Sequence, residues 1–159
     1  MTEGDYVIVF GDSALVAADA DGSGRLDYAI VTVDGDAIQS PNATVVWHIA
    51  PDGEYWTLYN NENAVYAAGT GAKNKATTTT SLTDYGKWTA IGDSTYEFEN
   101  LGNSSKGINA LLRCNGTYGF ACYSTSTGGA LSLYKATSGS TTYYTTVVGE
   151  EALVESWNI

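Results

Sequence analysis

Along nearly the whole chain, apolar residues either alternate with polar ones or gather in short β-branched and aromatic runs. Tyr6-Val7-Ile8-Val9-Phe10, Tyr28-Ala29-Ile30-Val31-Thr32-Val33, Thr44-Val45-Val46-Trp47 and Tyr55-Trp56-Thr57-Leu58-Tyr59 are four of these, and Tyr96-Glu97-Phe98-Glu99 and Leu131-Ser132-Leu133-Tyr134 are two more. A period of two sends successive side chains to opposite faces of a sheet, so these stretches predict strands. Between them lie clusters that favour turns, such as Asp34-Gly35-Asp36, Pro51-Asp52-Gly53 and Gly92-Asp93-Ser94. Thr77-Thr78-Thr79-Thr80 reads as a further exposed strand, and only residues 150–157 read as a short helix. The expected class is all-β.

The strand pattern repeats. Trp47-His48-Ile49-Ala50-Pro51-Asp52-Gly53-Glu54-Tyr55-Trp56-Thr57-Leu58-Tyr59-Asn60 matches Trp88-Thr89-Ala90-Ile91-Gly92-Asp93-Ser94-Thr95-Tyr96-Glu97-Phe98-Glu99-Asn100 with one residue deleted. Each copy reads tryptophan, acidic turn, aromatic strand, asparagine, followed by a small apolar strand at residues 64–68 or 109–112. An earlier copy fits over Tyr6-Val7-Ile8-Val9-Phe10 and Ala14-Leu15-Val16-Ala17-Ala18. Three units of roughly 40 residues, each of about four short strands, cannot bury their apolar faces singly and must close around a shared axis.

This arrangement resembles the β-trefoil, the fold of the ricin-B-type lectins and of certain cytokines and protease inhibitors. The resemblance implies a pseudo-threefold barrel of about twelve short strands over residues 1–135. The Trp47 and Trp88 strands, with Leu131-Ser132-Leu133-Tyr134-Lys135 as third equivalent, would close the units. An ordinary antiparallel barrel or sandwich is the alternative. Phe120-Ala121-Cys122-Tyr123 together with the 131–135 strand also resembles accessory modules in secreted proteins of gut bacteria. In those modules Thr141-Thr142-Tyr143-Tyr144-Thr145-Thr146 would lead to a neighbouring domain of a longer chain. Residues 136–159 are accordingly read as a linker or a docking tail. Neither tryptophan follows a Gln at the spacing found in the lectins.

Charge narrows the partners. Seven basic residues against 18 acidic ones give a net charge of −11 over 159 residues. Nucleic-acid affinity rests on neutralising phosphates with Lys and Arg, and the seven cations are scattered, so no nucleic-acid partner is expected. Anionic membrane surfaces are disfavoured for the same reason, and no apolar run predicts membrane insertion. Abundant Tyr, Thr, Ser, Gly and Asn with scarce Lys and Arg point to an extracellular or cell-surface location.

Three features bear on chemistry. Asp19-Ala20-Asp21-Gly22-Ser23-Gly24-Arg25-Leu26-Asp27 follows the first nine positions of a calcium loop, with Asp19, Asp21, Ser23, the Arg25 carbonyl and Asp27 as oxygen donors. Ile30 stands where the bidentate Glu belongs, and a solvated hairpin tip explains the same Asp and Gly residues. Cys114 and Cys122 bracket a hairpin. A turn centred on Tyr118 would face the sulfurs for a disulfide, a two-residue Asn115-Gly116 turn would put them out of register, and two buried thiols are the third reading. His48 is the only histidine, no nucleophile elbow accompanies it, and zinc would want more His or Cys, so no enzyme is expected.

Four Trp and 12 Tyr are the strongest argument for binding. Period-two reading and repeat equivalence assign Trp47, Trp88, Tyr6, Trp56 and Tyr96 to the core. Tyr55, Tyr59, Tyr118 and Tyr123 remain for an exposed aromatic surface, where ring faces stack on sugars and hydroxyls hydrogen-bond. The sequence therefore predicts a non-catalytic binding module of an exported protein, for carbohydrate, with a structural or protein-interaction domain as the alternative.

Overall fold

The computed structural model describes residues 1–20, 22–137 and 143–146, with Tyr143 as backbone alone. Among them are fourteen strands: β1 (Gly4–Phe10), β2 (Ser13–Asp19), β3 (Leu26–Ile30), β4 (Ala37–Gln39), β5 (Val46–Asp52), β6 (Tyr55–Asn60) and β7 (Val65–Ala68). The remainder are β8 (Thr77–Thr79), β9 (Trp88–Gly92), β10 (Tyr96–Asn100), β11 (Leu111–Cys114), β12 (Phe120–Tyr123), β13 (Ser132–Ala136) and β14 (Tyr143–Thr146).

Six of these close a barrel. β1 pairs with β5, β5 with β6, β6 with β9 through Trp56 and Trp88, and β9 with β10. Leu131, just before β13, bridges to Tyr96 of β10, and β13 returns to β1. Closure leaves the barrel no unpaired edge and excludes the sandwich. The hairpins β2–β3, β7–β8 and β11–β12 gather together and bond to one another. Leu26 faces Phe120, the Ala76 N–H donates to the Gly24 carbonyl at 2.9 Å, and the Cys122 N–H donates to the Lys75 carbonyl at 3.1 Å. The architecture is the expected β-trefoil.

Register makes the repeat physical. Tyr6 faces Trp47, Trp56 faces Trp88 and Tyr96 faces Leu131, so each opening strand meets a closing strand at an equivalent point. Trp47 and Trp88 are fully buried, and their indole N–H groups donate to the carbonyls of Leu15 (2.8 Å) and Ala67 (3.2 Å) in the neighbouring hairpins. Truncating either ring to Ala removes a core side chain worth about 3–5 kcal/mol. Four residues beyond Trp56 and Tyr96 stand Asn60 and Asn100, both fully buried. Each side chain donates to the backbone of the preceding loop, at Thr44 or Tyr85, and accepts the N–H three residues ahead, at Asn63 or Asn103. Phe10 occupies the third equivalent position, so the first unit lacks this staple.

Several details differ from expectation. Trp56 is only half-buried, because it lies beside the β5–β6 turn, where Pro51 is its cross-strand partner. A helix of one turn, α1 (Leu101–Ser105), follows β10. The Asn100 side chain caps it, and a Cβ at Gly102 would lie 2.2 Å from Tyr85 Cδ1, which no side chain tolerates. The β11–β12 turn spans residues 115–119, with Cys114 opposite Phe120 and Leu112 opposite Cys122. Its centre is therefore Thr117, one residue from the register a disulfide needs, and both thiols are free and buried. The predicted helix at 150–157 lies outside the described residues.

Two strands exceed the expected twelve. The connection at residues 31–45 carries β4, which pairs with β14, and β14 pairs in turn with β13. Between this ribbon and the outer face of β1 lies a second apolar cluster of Val7, Val9, Ala14, Ile38, Val45, Tyr134 and Tyr144. The hydrogen-bonded ladder thus continues past Lys135 into residues 143–146.

Candidate functional site

Where Trp47 and Ile49 of β5 point into the barrel, His48 must point out. The register then builds a row across five strands: Asp5 faces His48, His48 faces Tyr59, Tyr59 faces Tyr66 and Tyr66 faces Thr79. Directly opposed residues share a sheet face, so these five side chains form one outward band. Asp5 Oδ1 lies 2.9 Å from His48 Nδ1, and Glu3 Oε2 lies 3.0 Å from His48 Nε2. An imidazolium donates from both nitrogens and satisfies both carboxylates. Partial burial lowers the His48 pKa, but the hydrogen bonds and charges of Asp5 and Glu3 outweigh it and raise the value above the ordinary imidazole range. The Tyr59 and Tyr66 rings lie 4.8 Å apart, tilted by 59°.

Beside this band is a cavity of about 300 Å³ lined by Pro41, Ala43, Val46, Asn61, Glu62 and Tyr144. Val46 lies two residues from His48 on the same face of β5, so band and cavity adjoin. Burial and then the Asp5 charge push the Tyr144 phenol upward, placing that carboxylate within electrostatic reach of the cavity wall. The band offers a ring pair and an imidazole fixed between two carboxylates, and the adjoining cavity adds an amide, a carboxylate and a phenol.

The four tyrosines singled out in the sequence do not converge. Tyr59 belongs to the band. Tyr55 stands apart at the β5–β6 turn, its phenol pKa raised by a hydrogen bond to Glu54. Tyr118 is 63% exposed on the β11–β12 turn, with the Arg25 guanidinium 5.6 Å from its ring centre. Tyr123, expected at the surface, is buried at 3% exposure, because β12 is covered on both faces beneath the hairpin cap. The sequence reading missed Asp5, Tyr66 and Tyr144, although alternation around Tyr6 already turned Asp5 outward.

Three of the five candidate donors in the calcium-like loop are engaged within the protein. The Arg25 carbonyl accepts the Ala20 N–H at 2.8 Å, Ser23 Oγ donates to the Ala20 carbonyl, and Asp27 Oδ1 accepts the Tyr28 N–H. The Lys75 ammonium donates to the Ser23 carbonyl at 2.6 Å. Asp19 ends β2 and is exposed, and Asp21 lies outside the described residues. Among the described residues no three His, Cys, Asp or Glu side chains cluster as metal ligands would.

No family model and no curated protein matches the sequence. Solved structures do. The chain is similar to the designed threefold-symmetric protein ThreeFoil, with TM-score 0.52 and 16% identity over 91% of this chain and 98% of that one. It is similar to the Polyporus squamosus lectin, solved with a human-type influenza-binding epitope, with TM-score 0.61 and 14% identity over 85% of this chain and 50% of the lectin. SeviL, solved with the asialo-GM1 saccharide, gives TM-score 0.58 and 14% identity over 85% and 99%. At these identities the likeness is one of fold, and it agrees with the closed barrel and its three hairpins. The chain has the β-trefoil fold.

Proposed function

We propose that the chain is a non-catalytic carbohydrate-binding module of an exported protein, with its ligand on the Tyr59–Tyr66 pair and in the adjoining cavity. The observation that carries this reading is the outward band, in which two aromatic rings lie next to a histidine fixed between two carboxylates. A sugar presents an apolar ring face bordered by hydroxyls. Tyrosine rings accommodate the first, and Asp5, Glu3, Asn61 and Glu62 accept from the second. Binding sites of this kind combine an apolar floor with a few fixed polar groups. The two lectins of like fold, each solved with a saccharide, support the reading.

A glycan array followed by titration of the hits into the wild type, Tyr59→Ala and Tyr66→Ala tests it. Each substitution is expected to weaken binding about tenfold or more, with the fold kept by circular dichroism. No binding across neutral and acidic glycans would overturn the carbohydrate reading, and a protein partner captured without sugar dependence would favour an interaction domain instead.

A further inference from the structure

A second surface lies where hairpins β2–β3 and β11–β12 meet. There Arg25 Nε donates to the Tyr123 hydroxyl at 2.9 Å, and Asn115 Nδ2 reaches the same oxygen at 3.4 Å. Because Tyr123 is buried, this oxygen is a fixed anchor. The guanidinium carbon lies 5.6 Å from the centre of the exposed Tyr118 ring, within range of a cation–π contact. Arg25 is thus held along one edge and one face. Its two terminal nitrogens have no protein partner among the described residues, and a guanidinium fork of this kind matches a carboxylate with two parallel hydrogen bonds. Lys75 lies across the neighbouring Gly24 with its ammonium on the Ser23 carbonyl, so two of the seven cations of a strongly acidic chain stand in this corner. The nearby Asp27 carboxylate is turned back onto the Tyr28 N–H.

We infer that this corner is a binding site for a carboxylated sugar, with its carboxylate on the Arg25 fork and the apolar face of its ring on Tyr118. The ligand class rests on the carbohydrate-binding reading, while the surface is separate from the Tyr59–Tyr66 band. An acidic peptide fits less well. A chain of net charge −11 repels a partner with many negative charges, whereas one carboxylate per sugar residue meets the single fork at small long-range cost.

The test is NMR titration of the full chain with methyl glucuronoside and with the methyl glycoside of sialic acid, each beside its methyl ester. At least one acid is expected to bind about tenfold or more tightly than its ester, since a hydrogen-bonded charge pair is replaced by a neutral contact. Arg25→Gln is expected to erase that preference, Arg25→Lys to restore part of it, and Tyr118→Ala to weaken acid and ester alike by about fivefold. Chemical-shift dispersion of each variant establishes that it is folded. Equal binding of acid and ester by the wild type would overturn the inference, as would a preference that survives Arg25→Gln. A preference lost instead in Tyr59→Ala places the carboxylate at the other surface and also overturns it. If neutral glycans bind through Tyr59 while neither acid is preferred, the carbohydrate reading stands and this inference falls. If no sugar binds but a peptide terminal carboxylate binds through Arg25, the sugar assignment fails.

Discussion

The two buried asparagines allow one change to be made twice in near-identical surroundings. Asn60 and Asn100 are both fully buried, both donate to a loop carbonyl and both accept an N–H three residues ahead. Substitution by Ala removes the same atoms in each case, so transfer and cavity terms nearly cancel in the comparison. What remains is the fate of the abandoned partners. Beside Asn60 these are the backbones of Thr44 and Asn63, both exposed residues, and water replaces the lost amide. Beside Asn100 the Tyr85 carbonyl keeps the Gly69 N–H at 2.9 Å, but the N–H of Asn103 belongs to a fully buried residue and is left without an acceptor. An orphaned buried donor costs about 1–3 kcal/mol, and a lost, hydrated hydrogen bond about 1 kcal/mol. Asn100→Ala is therefore expected to cost about 3 kcal/mol, and Asn60→Ala, which loses two hydrated hydrogen bonds, about 2 kcal/mol. Urea unfolding with unchanged m-values reads this difference directly. Thermal melts are expected to fall by about 9 °C and about 6 °C respectively. Equal losses, or a larger loss at Asn60, would refute the argument that burial of the abandoned N–H sets the cost.

Three further outcomes follow from the geometry. His48 has a raised folded pKa, so its imidazolium contributes stability fully below the ordinary value of 6.5 and loses it as pH rises through the folded value. Melting temperature is expected to decline over that interval in the wild type and to lose this component in His48→Gln; an identical pH profile in the two would refute the carboxylate sandwich. Ending the chain at Lys135 removes Tyr144 and uncovers Ile38 and Tyr134, so a lower melting temperature and self-association in analytical ultracentrifugation are expected; an unchanged monomer would refute a structural role for β14. Burial pushes the Cys122 thiol up to about 12 and also raises that of Cys114, so a thiol reagent is expected to label neither until denaturant is added; rapid labelling of the native protein would refute the burial of the two sulfurs.

The barrel was legible because its chemistry repeats. A tryptophan, an acidic turn and an asparagine recur 41 and 40 positions apart, and the structure assigns each an equivalent place. Strand β4, by contrast, is Ala37-Ile38-Gln39, too short to display a period, and its pairing with β14 joins segments a hundred residues apart. Tyr123 misled because alternation presumes one wet face, and all four residues of β12 are buried. The Asp5–His48–Tyr59–Tyr66 band was illegible for a different reason. Tyr59 and His48 drew notice singly, but each member is an outward residue of its own strand, and only the register between strands gathers them.

The barrel seam has a consequence for how the molecule comes into being. β1 and β13 are partners across the ring, yet nearly the whole described chain separates them. Loop closure over that distance precedes any return in contacts, and folds dominated by such pairings acquire their structure slowly, in milliseconds to seconds. Until Leu131 and β13 have left the ribosome, Tyr96 and the outer edge of β1 lack their partners. The chain thus travels unsealed, and the last strand of the ring acts as the latch that ends its exposure to chaperones and proteases.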